Sequence, residues 1–304
     1  MSENYLEINN VSKQFATHLA LDDVSFDIPS GSVFGLVGPN GAGKTTLIRI
    51  INQITAPDTG EVRILGEKLR PEHTARIGYL PEERGLYKKM KVLDQITYFG
   101  QLKDLSRMDS LARGKEWLER FDILNWRHKK VEELSKGMAQ KIQFIITVLH
   151  EPELIILDEP FSGFDPVNTQ LIKEEIKRLK ANGSTVIFST HRMESIEEVC
   201  DYVGMINKSK KVLEGKVSEV RHNYKENILE VEYTGDLGGL TERALSNGQV
   251  NGSGLQSAVF AIKDGSVRSL ISELNNKVEL RSFQEKLPSI EEIFISKVEE
   301  GNHE

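Results

Sequence analysis

The stretch that decides the fold reads Gly38-Pro39-Asn40-Gly41-Ala42-Gly43-Lys44-Thr45. It matches the pattern G-x-x-x-x-G-K-[ST] at every fixed position. Glycines let the backbone curl so that successive N–H groups point at the oxygens of one anion, and a helix that begins near Lys44 adds the positive end of its dipole. In such a loop Lys44 supplies a charge to the β- and γ-phosphates, and the Thr45 hydroxyl can ligate Mg²⁺. The stretch therefore predicts a phosphate-binding loop.

The flanking sequence supplies the context that this loop requires. An apolar run at Val33–Val37 comes before it, and apolar residues recur at helical spacing over residues 46–54. Strand, glycine-rich turn and helix form a βα unit, which argues against a chance glycine-rich turn. Residues 154–157 and 185–188 are further continuous apolar runs, as expected of parallel strands buried on both faces. The chain up to about residue 220 is therefore predicted to be an α/β domain.

Two other regions differ from this pattern. Between about residues 90 and 150 the apolar residues recur at helical spacing, which predicts a helical insertion. Beyond residue 225 the pattern predicts strands at 227–233, 257–262 and 278–284 and helices at 266–274 and 289–298. We therefore expect a first domain at 1–220 and a small α+β domain at 225–304.

Composition limits the class of protein. No apolar run among the 304 residues approaches the about 20 residues that a membrane-spanning helix needs. The N-terminus does not resemble a secretory signal, and the one cysteine, Cys200, fits a reducing compartment. The net charge is −7, and the residues from Arg221 onward carry 9 Lys and Arg against 14 Asp and Glu. The expectation is a cytoplasmic protein without the basic surface that nucleic-acid binding usually needs.

Two carboxylates end the apolar run at 154–157. Asp158, at the tip of the predicted strand, can reach Mg²⁺ directly or through a water. Glu159 can polarise an attacking water as a general base. An acidic pair at a strand end would by itself be read as a surface turn, but the phosphate loop favours the catalytic interpretation.

A further motif resembles the signature of a known family. Leu134-Ser135-Lys136-Gly137-Met138 is similar to the L-S-G-G-Q sequence of ABC-type ATPases, and Ser135 lies 23 residues before Asp158. Asp165 matches the D-loop of that family, and His191 matches its switch histidine. Phe15, 29 residues before Lys44, matches the aromatic residue that stacks on adenine. Residues 5 to about 220 thus resemble the nucleotide-binding subunit of an ABC transporter, a phosphate-loop NTPase.

The resemblance implies a site that one subunit cannot complete. Two nucleotide-binding domains would meet head to tail around two ATP molecules, and each would give Ser135 and Gly137 to the other's nucleotide. The implied catalytic residues are Glu159, His191 and Glu82, and the implied metal ligands are Thr45, Asp158 and Glu82. The implied nucleotide-binding residues are Phe15, Gly38, Pro39, Asn40, Gly41, Ala42, Gly43, Lys44, Thr45, Thr46, Ser135, Gly137 and Asp165.

Three positions depart from the family pattern. Lys136 and Met138 replace a glycine and the glutamine of the signature. Glu82 replaces the glutamine of the Q-loop, and a carboxylate can still ligate Mg²⁺. The form Pro81-Glu82-Glu83-Arg84-Gly85-Leu86-Tyr87 and the C-terminal tail resemble the exporter branch that includes sodium-efflux ATPases.

The resemblance predicts an ATPase subunit that powers export through a separate membrane-spanning permease docked near the Q-loop and the helical insertion. The complex would contain two copies, or one copy and a related ATPase, on the inner face of the cell membrane, with sodium or drugs as candidate substrates. One alternative is a soluble ABC ATPase of DNA repair or translation, and another is a small-molecule kinase. The acidic tail is either a solvated surface or a regulatory domain that contacts its twin or the permease.

Overall fold

The computed structural model describes residues 4–83, 85–250, 254–262 and 267–300. The chain divides into two compact units, Met1–Val217 and Ser218–Glu304, with separate hydrophobic cores. The boundary lies shortly before the predicted position. Within the described ranges, no helix is both long and apolar enough to cross a membrane.

A six-stranded sheet forms the centre of the first unit. Its strands, in their order across the sheet, are β10 (Lys210–Lys216), β9 (Tyr202–Asn207), β3 (Val33–Val37), β8 (Thr185–Thr190), β7 (Leu154–Asp158) and β6 (Ile77–Leu80). All neighbours are parallel except β10 and β9. Every residue of β3, β7 and β8 is buried, as the continuous apolar runs predicted. Val37 pairs with Thr190 and Asp158 with Ser189, so these three strands end side by side.

A second, antiparallel sheet packs into the same core. It contains β2 (His18–Pro29), β1 (Asn4–Phe15), β4 (Thr59–Ile64) and β5 (Glu67–Lys68). The apolar pattern did not predict it, because register shifts interrupt the pairing of β1 with β2, for example between Ile8 and Val11. A strand with such shifts loses the strict alternation by which strands are recognised.

Six α-helices accompany these sheets within the described residues of the first unit. They are α1 (Lys44–Ile51), α2 (Val92–Gln101), α3 (Arg107–Arg120), α4 (Lys136–Val148), α5 (Pro166–Ala181) and α6 (Glu194–Val199). A further helix, α7 (Val217–Asn223), begins at the last residue of this unit. Helices α2 to α4 form the helical segment expected between 90 and 150. Helix α1 ends at Ile51 rather than at residue 54, because Gln53 has a φ of 57° that a right-handed helix cannot continue. Ile54, which the periodicity placed in the helix, is 60% exposed.

A close approach to β3 fixes helix α6. A Cβ built on Gly35 would lie 2.4 Å from Ile196 Cδ1 and 2.8 Å from Cys200 Sγ. Only glycine allows these side chains to pack directly on the strand. Burial at this contact raises the pKa of the Cys200 thiol.

The described part of the second unit contains a four-stranded antiparallel sheet, with one helix before its last strand and one after it. The strand order is β12 (Ala244–Val250), β13 (Leu255–Ala261), β11 (Ile228–Thr234) and β14 (Glu279–Lys286), and the helices are α8 (Val267–Asn275) and α9 (Ile290–Glu300). Leu229, Val231, Phe260 and Leu274 belong to its core. The predicted strands and helices are present, whereas β12 was missed. Residue 266, the predicted start of α8, lies outside the described residues.

Candidate functional site

The carboxyl ends of β3, β7 and β8 open onto one cavity of about 320 Å³. Parallel strands commonly place a ligand site at this edge, because the loops that follow them converge there. The predicted site residues that line the cavity are Phe15, Asn40, Gly41, Gly43, Lys44, Thr45, Thr46, Glu82, Asp158, Glu159 and His191. The fold thus brings together most of the residues that the sequence selected.

The phosphate loop joins β3 to α1. Lys44 is only 6% exposed, and its Nζ donates to the backbone oxygens of Gly38 at 2.7 Å and Pro39 at 3.1 Å. Burial lowers the pKa of Lys44, and the carboxylates of Glu159, Asp158 and Glu82 oppose that shift. The ammonium group of Lys44 is therefore held against the backbone of its own loop, beside the acidic end of β7.

Asp158 ends β7 with its side chain buried. Its Oδ1 accepts a hydrogen bond from Ser189 Oγ, on the neighbouring strand. Its Oδ2 is also buried, and in the described part of the chain it has no hydrogen-bond partner. Leaving a buried acceptor without a hydrogen bond costs free energy. This oxygen is therefore suited to bind a cation, or a water molecule that is bound to one.

Glu159 is held by His191, another of the catalytic residues that the resemblance implied. The backbone N–H of His191 donates to Glu159 Oε1 at 3.0 Å, and His191 Nδ1 lies 2.8 Å from the same oxygen. Because a carboxylate only accepts, Nδ1 carries the hydrogen in this contact. The side chain of Glu159 is only 11% exposed. The two residues therefore form one hydrogen-bonded pair at the mouth of the cavity.

Phe15 and Glu82 lie at the rim. Phe15 ends β1 with 46% of its surface exposed, and Lys13 Nζ lies 5.4 Å from its ring centroid. Glu82 follows β6 and is exposed. An exposed aromatic ring beside a phosphate loop can stack on a planar base.

Six predicted residues are absent from the described lining of this cavity. Gly38, Pro39 and Ala42 belong to the phosphate loop itself, and the backbone oxygens of the first two accept from Lys44 Nζ. The other three are Ser135, Gly137 and Asp165. Ser135 caps α4, and its Oγ accepts from Met138 N at 3.3 Å. Asp165 caps α5, where hydrogen bonds from the backbone and side chain of Asn168 lower its pKa. The starts of these two helices therefore do not line the cavity that contains the phosphate loop of their own chain.

Sequence reasoning missed four residues of the site. His18, Ala20 and Ser162 line the cavity, and Ser189 bonds Asp158 and the backbone N–H of Glu159. Ser189 is a polar residue inside an apolar strand, and this signal could have drawn attention to it. Ser162 begins the Ser162-Gly163-Phe164-Asp165 stretch that resembles the D-loop. His18 and Ala20 belong to no short motif, and only tertiary structure brings them here.

Comparisons with known proteins agree with this geometry. The model of the ABC transporter family matches residues 21–162. A second model, described as "ATP-binding protein DrrA1-3-like, C-terminal domain", matches residues 215–298. A solved chain described as "Structure of ATP binding subunit of ABC transporter" aligns with a TM-score of 0.68 at 29% identity, covering 72% of this chain and 93% of its own length.

Two curated relatives extend the similarity. The uncharacterized ABC transporter ATP-binding protein YhaQ of Bacillus subtilis is 42% identical over 96% of this chain and 98% of its own length. The Nod factor export ATP-binding protein I of Cupriavidus metallidurans is 33% identical over 71% of this chain and 72% of its own length. With its phosphate-loop fold and a cavity that collects the expected nucleotide-binding residues, the chain belongs to the ATP-binding subunits of ABC transporters, an ATPase family whose activity drives transport.

Proposed function

We propose that this chain is the ATP-hydrolysing subunit of an exporter, in which two copies close head to tail around two ATP molecules. The observation that carries the proposal is the cavity of about 320 Å³ at the ends of β3, β7 and β8. In it Lys44 and Asp158 lie beside the hydrogen-bonded pair of Glu159 and His191. This is the set that hydrolysis requires: an anion-binding loop, a metal ligand and an oriented base.

The residues fit Mg²⁺ bound together with a nucleotide. No three His, Cys, Asp or Glu side chains converge on one point within the described residues. Mg²⁺ in phosphate-transfer sites is usually held by one or two carboxylates, waters and substrate phosphates. The unsatisfied Oδ2 of Asp158, the Thr45 hydroxyl and Glu82 would supply the protein's share. The ion would neutralise charge that develops on the phosphate oxygens.

Glu159 is the proposed general base. Its Oε1 accepts both hydrogen bonds from His191, so Oε2 would take the proton of the attacking water. The water oxygen forms the new bond to the γ-phosphorus, and the bond from that phosphorus to the β–γ bridging oxygen breaks. The electron pair leaves with ADP. Lys44 would stabilise the negative charge on the transferred group, and Phe15 would stack on adenine.

The head-to-tail arrangement assigns a use to residues outside the cavity. The first turn of α4 carries Ser135 and Gly137, and a helix N-terminus with a serine cap is a ready site for phosphate oxygens. In a two-fold dimer these groups would reach the partner's nucleotide, and Asp165 would approach the same interface. Removal of the shared γ-phosphate would then open the dimer.

A permease would dock beside the Q-loop and the helical segment. Tyr87 and Tyr98 are 52% and 40% exposed there, and their ring centroids are 5.9 Å apart. Exposed aromatic clusters mark protein interfaces. Such docking would hold the subunit on the inner face of the membrane. The named Nod factor export relative supports export, and sodium or drugs remain the proposed substrates.

The alternative of a DNA-repair or translation ATPase has no comparison in its favour. The relatives described above are named as transporter subunits. The net charge of −7 also disfavours a nucleic-acid partner.

Glu159→Gln tests the proposal. The amide keeps the shape but cannot take a proton at neutral pH, so hydrolysis should fall by about 10²-fold or more while ATP binding persists. Gel filtration with ATP and Mg²⁺ should then show a stable dimer, which Lys44→Ala should not form. Glu119→Gln, an exposed carboxylate on α3, is the matched control and should behave as the unaltered chain. Wild-type turnover in Glu159→Gln would show that Glu159 is not the base.

A further inference from the structure

The side chain of Lys136 packs on the loop that follows Glu159. Lys136 is the first residue of α4, and its side chain runs back over Gly163, in that loop. A Cβ built on Gly163 would lie 2.8 Å from Lys136 Cε and 3.0 Å from Nζ. The lysine stem therefore fills the space that a side chain at position 163 would occupy.

Two neighbouring contacts join the same helix to the same loop. Gln140, one turn further along α4, donates from Nε2 to the backbone oxygen of Ser162. A Cβ built on Gly137 would lie 3.9 Å from Asn168 Nδ2 and 4.0 Å from Phe164 Cδ1. The start of α4 thus packs along residues 162–168 of its own chain.

Charge strengthens this contact. Lys136 lines a cavity of about 360 Å³ together with Glu82, Glu83, Asp158 and Glu159. Among the described residues that line it, Lys136 carries the only positive charge. The exposed Lys136 side chain therefore lies beside carboxylates of opposite charge, which favours its position next to Gly163.

We propose that Lys136 is a positioning residue that fastens the loop 162–165 to the start of α4 within one chain. The cap at Ser135 and the loop that ends at Asp165 then move together as one rigid unit. These are the two elements that would approach the partner's nucleotide. With a glycine at position 136, only the Gln140 hydrogen bond and backbone packing would attach this loop to the start of α4. The consequence for turnover rests on the proposed head-to-tail function, whereas the attachment of the loop does not.

Hydrogen exchange in the nucleotide-free full chain tests the attachment. In Lys136→Ala the backbone amides of 161–165 should exchange about threefold to tenfold faster, because a contact worth a typical hydrogen bond is lost. Lys136→Arg, which keeps stem and charge, should restore slow exchange. Gln140→Ala should loosen the same peptide, and Lys115→Ala, an exposed lysine on α3, should not. Unchanged exchange in Lys136→Ala overturns the proposal, and faster exchange in Gln140→Ala shows that the measurement detects a loosened loop.

Kinetics then test the consequence. For Lys136→Ala, kcat should fall by about threefold to tenfold while the Kd for ATP stays constant, because the phosphate loop is untouched. A loosened loop with an unchanged kcat overturns the positioning role. The ATP-dependent dimer of Glu159→Gln is measured in parallel. If that dimer does not form, the head-to-tail function fails, while the exchange data still decide how Lys136 acts.

Discussion

Glu159 adopts a φ of 51°, a left-handed conformation that is uncommon for a residue with a side chain. Its backbone N–H donates to Ser189 O at 3.2 Å, and its carboxylate is held by His191. Such local strain persists only where neighbours determine the conformation. The sequence predicted the chemical role of Glu159 from its place after an apolar strand. It could not predict the backbone conformation, which depends on Ser189 of β8 and on His191, directly after that strand.

His150 offers a test of pH dependence at a single residue. Both ring nitrogens are buried, and this burial lowers the pKa of His150 from 6.5 to about 4. Between these values the unfolded chain binds a proton that the folded chain does not. The neutral imidazole therefore contributes stability above about pH 6.5, and that stability is lost as pH falls towards 4.

The variant His150→Leu should remove this dependence. Its free energy of unfolding should fall less steeply from pH 6.5 to 4 than that of the unaltered chain, by up to about 1 kcal/mol per pH unit. Urea denaturation at several pH values measures the two slopes. His128→Leu, at an exposed histidine, is the control and should keep the original slope. Equal slopes for His150→Leu and the unaltered chain would contradict the assignment.

Among the elements, sequence patterns predicted those whose local signal is uninterrupted. Strands β3, β7 and β8 are buried throughout, so each is a continuous apolar run, and the phosphate loop is contiguous. Strands β1 and β2 were missed because shifted pairing and left-handed residues such as Asn10, with a φ of 50°, break their alternation. His18 and Ser162 lie far apart in the sequence and meet only in the folded cavity. Local sequence therefore does not identify either of them as lining the site.

The junction of the phosphate loop with α1 supports a prediction at this scale. Gly43 has a φ of 118°, and a Cβ there would lie 2.4 Å from Ala20 O on β2. Gly41 also has a positive φ, 79°, but a Cβ there would meet nothing within 4 Å. Both Gly43→Ala and Gly41→Ala place a side chain at a positive φ, and this strain should lower the free energy of unfolding by about 1–3 kcal/mol. Gly43→Ala should lower it further, because the new methyl group would also clash with the backbone of β2. Urea denaturation of the two variants measures the difference, and equal stability would refute the close packing of the loop against β2.

At the scale of the whole molecule, the proposed dimer predicts complementation between two inactive chains. Lys44→Ala disables a chain's own phosphate loop, and Ser135→Arg disables the cap that it offers to its partner. In a head-to-tail dimer of these two variants, one site has both defects and the other has none. The mixed dimer should therefore hydrolyse ATP at about half the rate of the unaltered dimer.

The control for this experiment places both substitutions in one chain and pairs it with an unaltered chain. Each site then carries one defect, and activity should be lost. ATPase assays on purified mixed dimers compare the two arrangements. If the Lys44→Ala and Ser135→Arg chains recover no activity together, the sites are not shared between chains.

The second unit carries the acidic residues that the sequence left without a role. Several of them are paired within the unit, including Glu273 with Arg243 at 2.8 Å and Glu285 with Lys225. Exposed pairs of this kind contribute little to stability. Regulation by this unit stays a hypothesis beside that of a solvated surface.

The packing of Cys200 against Gly35 has a practical consequence for spectroscopy. Thiol reagents attack the thiolate, and burial at this contact keeps Cys200 in the protonated form. Since the chain has no other cysteine, the unaltered sequence can serve as the starting point for labelling at one introduced cysteine. A cysteine introduced on the exposed face of α3 or α5 would accept a fluorophore or spin label selectively. Distances between two labelled copies could then report opening and closing during turnover, without first removing the native thiol.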